Sequence, residues 1–315
     1  MEERIPVIID TDPGVDDALA IMIAAASEKI QLLGITPVDG NVPAAYTHQN
    51  ALDLVQLFRL NIPVAKGSFD QLVYRVPRNS SAHGKTGMGT VVLPKSEQPY
   101  NELYAWDFIY EKAKAYSGEL VLVCIGPLTN IARAIIMHPD LKDHVKEIVM
   151  MGGSTTRGNV TPYAEFNYWV DPPAAKVVFE SGIPLVMAGL NVTLKTGISF
   201  DFIEQLEKEN QTVISSLVNQ WINSYADVQV NKEGERSSVV HDALAVGYVI
   251  APEKFETENL RIEMGTHRFQ EGNWGQSEVV EGEPNCIVIT DMDMDFYREL
   301  YRASEAYFSD ITLEG

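Results

Sequence analysis

The sequence predicts an α/β fold: a single domain with a mostly parallel central sheet flanked by helices. Three observations predict it. Short continuous apolar runs alternate with stretches of helical periodicity over the first 190 residues. The apolar runs end in charge or glycine, as strands do when they are buried on both faces of a parallel sheet. No Ser/Gly-rich linker and no internal repeat divides the 315 residues, so one domain spans 1–315.

The first run, IPVIID (5–10), reads as a strand, and Pro13-Gly14 breaks it. DDALAIMIAAAS (16–27) then reads as a helix whose first turn carries acids, which the helix dipole favours. IQLLGITPV (30–38) is a strand, AYTHQNALDLVQLF (45–58) a helix and IPVAKG (62–67) a short strand. WDFIYEKAKAYS (106–117) is helical, ELVLVCIG (119–126) extended and LTNIARAIIM (128–137) helical. VKEIVMMGG (145–153), DPPAAKVVFESG (171–182) and IPLVMAG (183–189) continue the alternation as strand, helix and strand. Such alternation implies right-handed crossovers between parallel strands. Beyond it lie one long helix over 201–224 and a strand in RIEMG (261–265). Two polar, Gly-containing stretches interrupt the pattern, 75–102 and 225–240. Each is either plain surface loop or a segment able to move and close over a ligand.

Lys and Arg total 24 against 44 Asp and Glu, a net charge of −20 spread along the chain. An acidic surface argues against nucleic acid, whose phosphates need a basic footprint. No stretch has a signal-peptide layout and no apolar run approaches the ~20 residues of a membrane span, so the expectation is a cytoplasmic protein without a membrane partner. The two cysteines, Cys124 and Cys286, sit in apolar runs and read as reduced core residues.

Four aspartates, Asp10, Asp12, Asp16 and Asp17, fall within eight positions between the first strand and its helix. Ligands of open parallel sheets bind outside the carboxyl ends of the strands, and the other strands end there in Asp39-Gly40-Asn41, Ile125-Gly126-Pro127, Met151-Gly152-Gly153 and Gly189-Leu190-Asn191. Helix capping explains one or two of the acids but not four. Carboxylates so close repel one another unless protons or a cation neutralise them. No Cys or His stands at short ligand spacing nearby, so the set suits a hard ion, calcium or magnesium, rather than zinc. A strand ending in Asp-x-Asp also opens the haloacid-dehalogenase-like phosphatases, in which the first Asp is a nucleophile beside magnesium. There Gly-Thr usually follows, whereas Pro13-Gly14 follows here.

DTDPGVDDALA (10–20), DGN (39–41), THQNAL (47–52), IGPLTNIA (125–132), GNVTPYAEFNYWVDPPAA (158–175) and HDALAV (241–246) together resemble the nucleoside hydrolase family. The resemblance runs in order from residue 5 to about 250. It implies the family's Rossmann-like fold and hydrolysis of the N-glycosidic bond of ribonucleosides to free base and ribose. It also implies a calcium ion that binds the attacking water and the ribose 2′- and 3′-hydroxyls. The positions matching its ligands are Asp12, Asp17, the backbone carbonyl of Ile125 and Asp242. All are hard oxygens, as the residues themselves require. Asp12 also matches the general base, and Asp10 a position behind the ligands that orients them.

The resemblance maps ribose binding onto Asp16, Asn41, Asn159, Glu165 and Asn167. Without it, Asn159 and Asn167 read as turn-forming asparagines. His241, directly before Asp242, matches the histidine that protonates the leaving base in the inosine- and uridine-hydrolysing branch. A histidine near its free pKa suits that task. His83 matches a second histidine at the pocket mouth, and Tyr225 and Gln229 fall where the family closes residues over the base. Plain surface exposure is an equal reading for Gln229. The purine-restricted branch clamps the base with tryptophan, so His83 and His241 argue for the pyrimidine or broad branches. The chain departs from the family at QEGNWGQSEVV (270–280), where Trp274 either packs in a subunit contact or approaches the base. His48, His138, His144 and His267 receive no role. Family members are usually homodimers or homotetramers.

Three readings follow. The first is a calcium-dependent ribonucleoside hydrolase of nucleoside salvage or catabolism. The second is a magnesium phosphohydrolase with Asp10 as nucleophile, which has no use for Asp242 or Glu165. The third is a silent nucleoside-binding protein, which has no reason to keep Asp12 and His241.

Overall fold

Strand β1 (Ile5–Thr11) alternates its side chains between two apolar layers, and that alternation organises the molecule. Val7 and Ile9 enter one core cluster while Ile8 enters the other. The computed structural model describes residues 4–76, 82–225, 227–231, 234–267 and 273–312. Helix α1 (Val15–Ala26) is buried along nearly its whole length, and β2 (Ile30–Pro37) returns parallel to β1. Next come α2 (Ala44–Leu57), α3 (Ala105–Tyr116), β3 (Leu120–Cys124), α4 (Thr129–Met137) and β4 (Val145–Met151). They are followed by α5 (Phe166–Val170), α6 (Pro172–Phe179), β5 (Leu185–Ala188) and α7 (Leu190–Thr193).

The main sheet continues beyond the strands read from sequence. Long β9 (Phe255–Met264), short β10 (Ser277–Val280) and β11 (Cys286–Met292) extend it to eight strands among the described residues. The order is β10-β9-β11-β5-β4-β3-β1-β2. From β2 to β11 the pairs are parallel, and β9 runs antiparallel to both β11 and β10. One face packs against α1, α2 and the later helices α9 (Val213–Ser224), α10 (Ala243–Ile250) and α11 (Met294–Tyr307). The other packs against α3, α4 and α6. The expected single α/β domain with a mostly parallel sheet is what forms. Among the described residues no helix is long and apolar enough to cross a membrane.

Three segments differ from expectation. Residues 62–67 make only single bridges, Ile35 to Val64 and Lys66 to Tyr104. Pro63 has no N–H to donate to a ladder. The run 201–224 is two helices, α8 (Phe200–Asn210) and α9, because Gln211 turns left-handed (φ 52°) and the Thr212 hydroxyl accepts from Ser215 N–H to start a new helix. The segment 225–240 holds a hairpin, β7 (Val228–Val230) and β8 (Arg236–Val239), which joins β6 (Gly197–Ser199) in a small antiparallel sheet. Residues 226, 232 and 233 of that segment lie outside the described residues, as do 77–81 of the segment 75–102 and 270–272 of the departure at 270–280.

One core acid has a consequence for stability. Glu305 of α11 is fully buried and accepts from the Asn210 amide (2.9 Å) at the end of α8. Burial, aided by the nearby charge of Glu207, pushes its carboxyl from the ordinary 4.5 up to about 7. The folded chain thus keeps a proton that the unfolded chain has lost, so this stabilisation is whole below pH 4.5 and fades as pH rises through about 7. Replacing Glu305→Gln should therefore raise Tm over wild type at about pH 8 and give little gain at about pH 4.5. A gain of equal size at both pH values would contradict this.

Candidate active site

The carboxyl end of β1 and the first turn of α1 bring the four aspartates together, each nine-tenths or more buried. Asp17 reaches back to accept from Gly14 N–H (2.8 Å), the reciprocal half of a capping arrangement, and its other oxygen takes the Thr11 hydroxyl. Asn41, just past β2, holds two of the acids: its backbone N–H donates to Asp12 Oδ2 (2.6 Å) and its amide to Asp17 Oδ2 (3.1 Å). Gly40 admits this approach, since a Cβ there would lie 2.0 Å from Asp12 Oδ2. Asp10 stands behind, accepting from Thr36 Oγ1 (2.6 Å) and Asn130 Nδ2 (2.8 Å), and does not line the cavity. Asp242, at the start of α10, completes the group: carboxylate oxygens of Asp16, Asp17 and Asp242 lie within 4.8 Å of one another.

Such a cluster resists ionisation. Burial, reinforced by the neighbouring Asp17, pushes Asp12 well above the usual carboxylate range. Burial and then the charge of Asp16 do the same to Asp242. Asp17 rises to about 6, through burial and then Asp16, and Asp10 to about 7 through burial. Asp12 Oδ1 and Asp16 Oδ1 are buried with no hydrogen-bond partner in the structure. Orphaned acceptors among crowded acids are what a divalent cation would satisfy, so the residues present fit a hard ion held by oxygens.

Beside the acids opens a cavity of about 570 Å³. Asp16, Asn41, Ile125, Asn159, Glu165, Asn167 and Asp242 face it from the acid side, and His83, Tyr225 and His241 also line it. Asp12 and Asp17, fully buried, lie behind this wall. The Asn167 amide donates to the carbonyls of Ile125 (3.1 Å) and Met151 (3.0 Å), fixing the carbonyl expected to bind metal. Glu165 caps α5, accepting from the backbone N–H groups of Asn167, Gly153 and Tyr168. Burial raises its pKa, and those bonds oppose the rise. Asn159 sits exposed at the rim.

Beside Asp16, Tyr225 donates to its Oδ2 (3.1 Å), and the Tyr225 ring lies 5.0 Å from that of His83. His83 Nδ1 accepts from Val15 N–H (3.2 Å), and burial lowers its pKa to about 4, so the ring is neutral. His241 contacts the Thr193 hydroxyl through Nδ1 (2.7 Å) and Asp227 through Nε2 (2.8 Å). Burial is the largest influence on His241 and lowers its pKa. The Asp227 hydrogen bond and the charges of Asp16, Asp227 and Glu165 together outweigh it, so the net shift is upward.

Gln229 is not brought into the cavity: its amide donates to Leu194 O (2.6 Å), which ties β7 to the segment before β6. Trp274 is not in the wall either. Its indole N–H donates to Trp169 O (3.0 Å), supporting a residue that is. Asp227, Thr193, Phe166 and Trp169 escaped the sequence reading. Phe166 lies inside the EFN motif and Thr193 just beyond the fifth strand of the main sheet, so position could have flagged both. Nothing marked Asp227.

Comparison with known proteins shows the family. Residues 7–299 match the model of the inosine-uridine preferring nucleoside hydrolase family. The pyrimidine-specific ribonucleoside hydrolase RihB of Escherichia coli is 40% identical over 265 residues, covering 84% of each chain, as is the RihB of Escherichia fergusonii. A purine-preferring ribonucleoside hydrolase from Gardnerella vaginalis superposes with a TM-score of 0.88 at 29% identity, over 98% of this chain and 100% of that one. An inosine-guanosine nucleoside hydrolase gives 0.86 at 28%, over 96% and 99%. The chain belongs to the inosine-uridine preferring nucleoside hydrolase family and is a ribonucleoside hydrolase, an N-glycosidase.

Proposed function

We propose that the chain hydrolyses ribonucleosides, pyrimidine ribosides and inosine among them, in a calcium-dependent reaction with Asp12 as general base and His241 as general acid. The observation that carries this reading is the juxtaposition of two opposite devices in one cavity: buried acids with orphaned oxygens, and beside them a histidine whose pKa is held up. In this reading Asp12, Asp17, Asp242 and the Ile125 carbonyl would hold the ion, while the carboxylates whose oxygens lie within 4.8 Å of one another are those of Asp16, Asp17 and Asp242, so Asp16 is placed to share it. A bound calcium ion would supply a positive charge that keeps these carboxylates ionised and lowers the pKa of water.

The chain's own groups then account for the proton flow. Asp12 takes a proton from the attacking water, whose oxygen bonds to C1′ of ribose. The C1′–N bond breaks with its electron pair going to the base, and His241 delivers a proton there. Between these events the sugar resembles an oxocarbenium ion. Asp16, and Glu165 where ionised, are worth more to that cation than to the neutral substrate, which is the condition for catalysis. Asn41, Asn159 and Asn167 would hold ribose hydroxyls, each of which can donate and accept. Asp227, directly before the hairpin of β7 and β8, and His83 line the cavity, so the segments that carry them are placed to close over a substrate.

Asp10 bears on the rival chemistry. Its Oδ2 is taken by the Thr36 hydroxyl and the Asn130 amide, which suits a support behind the other acids. The free buried cysteines accord with a cytoplasmic setting, and a homodimer or homotetramer is part of this reading.

Asp12→Asn should lower kcat by about 10²- to 10⁴-fold without lowering the Tm of the metal-free protein, since the amide keeps the side chain's size and an oxygen to accept from Asn41 N–H. Near-normal turnover would mean the base is another group. Ribose release from uridine or inosine should fall on chelation and return with added calcium. Indifference to the chelator would remove the ion from the mechanism. 2′-Deoxynucleosides should be cleaved far more slowly than ribonucleosides. Equal rates would show that the 2′-hydroxyl makes no contact that matters in the transition state.

A further inference from the structure

We propose that Asp227 and His241 together read the edge of a pyrimidine base and make the site select uracil over cytosine. This rests on the reading that the chain cleaves ribonucleosides with His241 at the leaving base. Asp227 begins the hairpin segment, and its backbone carbonyl is fixed by Val239 N–H (2.9 Å). Its side chain, 37% exposed, faces the same cavity as His241. One carboxylate oxygen lies 2.8 Å from His241 Nε2. A carboxylate only accepts, so Nε2 carries the hydrogen and points toward Asp227. The second oxygen, Oδ1, has no hydrogen bond recorded among the described residues.

The cavity thus presents a donor, His241 Nε2–H, immediately beside an acceptor, Asp227. Thr193 holds the other ring nitrogen, which fixes the plane of the imidazole. Uracil carries the complementary pair on adjacent atoms. Its O2 accepts and takes up negative charge as the bond to N1 breaks, and its N3–H donates. A uracil seated with O2 on His241 Nε2–H would turn N3–H toward Asp227, so the hydrogen bond that His241 gives up to O2 is replaced at the carboxylate. Cytosine has the same O2, but its N3 is a bare lone pair. That lone pair would face a carboxylate, leaving two acceptors opposed. A site built around a substrate N–H discriminates strongly against an analogue that lacks it.

The test is kcat/KM for uridine and cytidine on the wild-type protein, Asp227→Asn and Asp227→Ala. 4-Nitrophenyl β-D-ribofuranoside is run alongside as a riboside whose leaving group needs no proton and has no pyrimidine edge. Wild type should favour uridine by at least about tenfold. Asp227→Asn offers an amide N–H to the cytosine N3 and should narrow the ratio at least severalfold or reverse it. Asp227→Ala should cost uridine more than cytidine, and both variants should lose less with the aryl riboside than with uridine. A wild-type preference for cytidine, or a ratio unmoved by Asp227→Asn, would overturn the assignment while the aryl riboside is still cleaved. Failure of the wild type to cleave any riboside would instead overturn the hydrolase mechanism on which it stands.

Discussion

Mutual repulsion of buried carboxylates is the constraint on which this site depends. Asp12, Asp16, Asp17 and Asp242 share one buried pocket, and burial acts on each of them to disfavour charge. Helix capping and hydroxyl or amide donors satisfy part of the group, chiefly at Asp17. They leave Asp12 Oδ1 and Asp16 Oδ1 bare. Such an arrangement is costly without a cation, and in the proposed reaction the same acids would, once neutralised, flank a sugar that turns cationic as its glycosidic bond breaks.

The fold makes this crowding possible by stacking the carboxyl ends of parallel strands. β1 delivers Asp10 and the residue after it Asp12, the turn after β2 delivers Asn41, and the residue after β3 delivers the Ile125 carbonyl. Asp242 arrives from a different layer, at the head of α10, where the small antiparallel sheet ends. The hairpin that leads into it follows directly on Asp227, and His241 immediately precedes Asp242, so one stretch of chain positions all three side chains. Close approach of backbone to acid is permitted by glycine, most tightly at Gly40 and Gly126, where a Cβ would lie 2.0 and 2.6 Å from Asp12 oxygens.

Much of this was legible in the sequence, for local physical reasons. Continuous apolar runs ending in Asp or Gly located β1 to β5, and four aspartates at a strand-to-helix junction announced an unusual need for positive charge. What escaped notice depended on tertiary context. The hairpin of β7 and β8 has strands of only three and four residues around a polar turn, so its sequence pattern is that of a loop. The break in 201–224 turns on one capping threonine within an otherwise helical run. Gln229 and Asp227 are two residues apart in one polar segment. Only the pairing of β7 with β8 decides that Asp227 meets His241 while Gln229 binds the Leu194 carbonyl. The residues 226, 232 and 233 of that segment lie outside what is described.

The central claim, that these acids form a cation site, is tested most directly by calorimetric titration of the metal-depleted protein with calcium in buffers of differing ionisation enthalpy. One ion should bind per chain with release of protons near pH 6, because carboxyls held partly protonated by burial must ionise to ligate it. Binding should be lost in Asp242→Asn. No saturable binding, or binding that releases no proton and survives Asp242→Asn, would contradict the account.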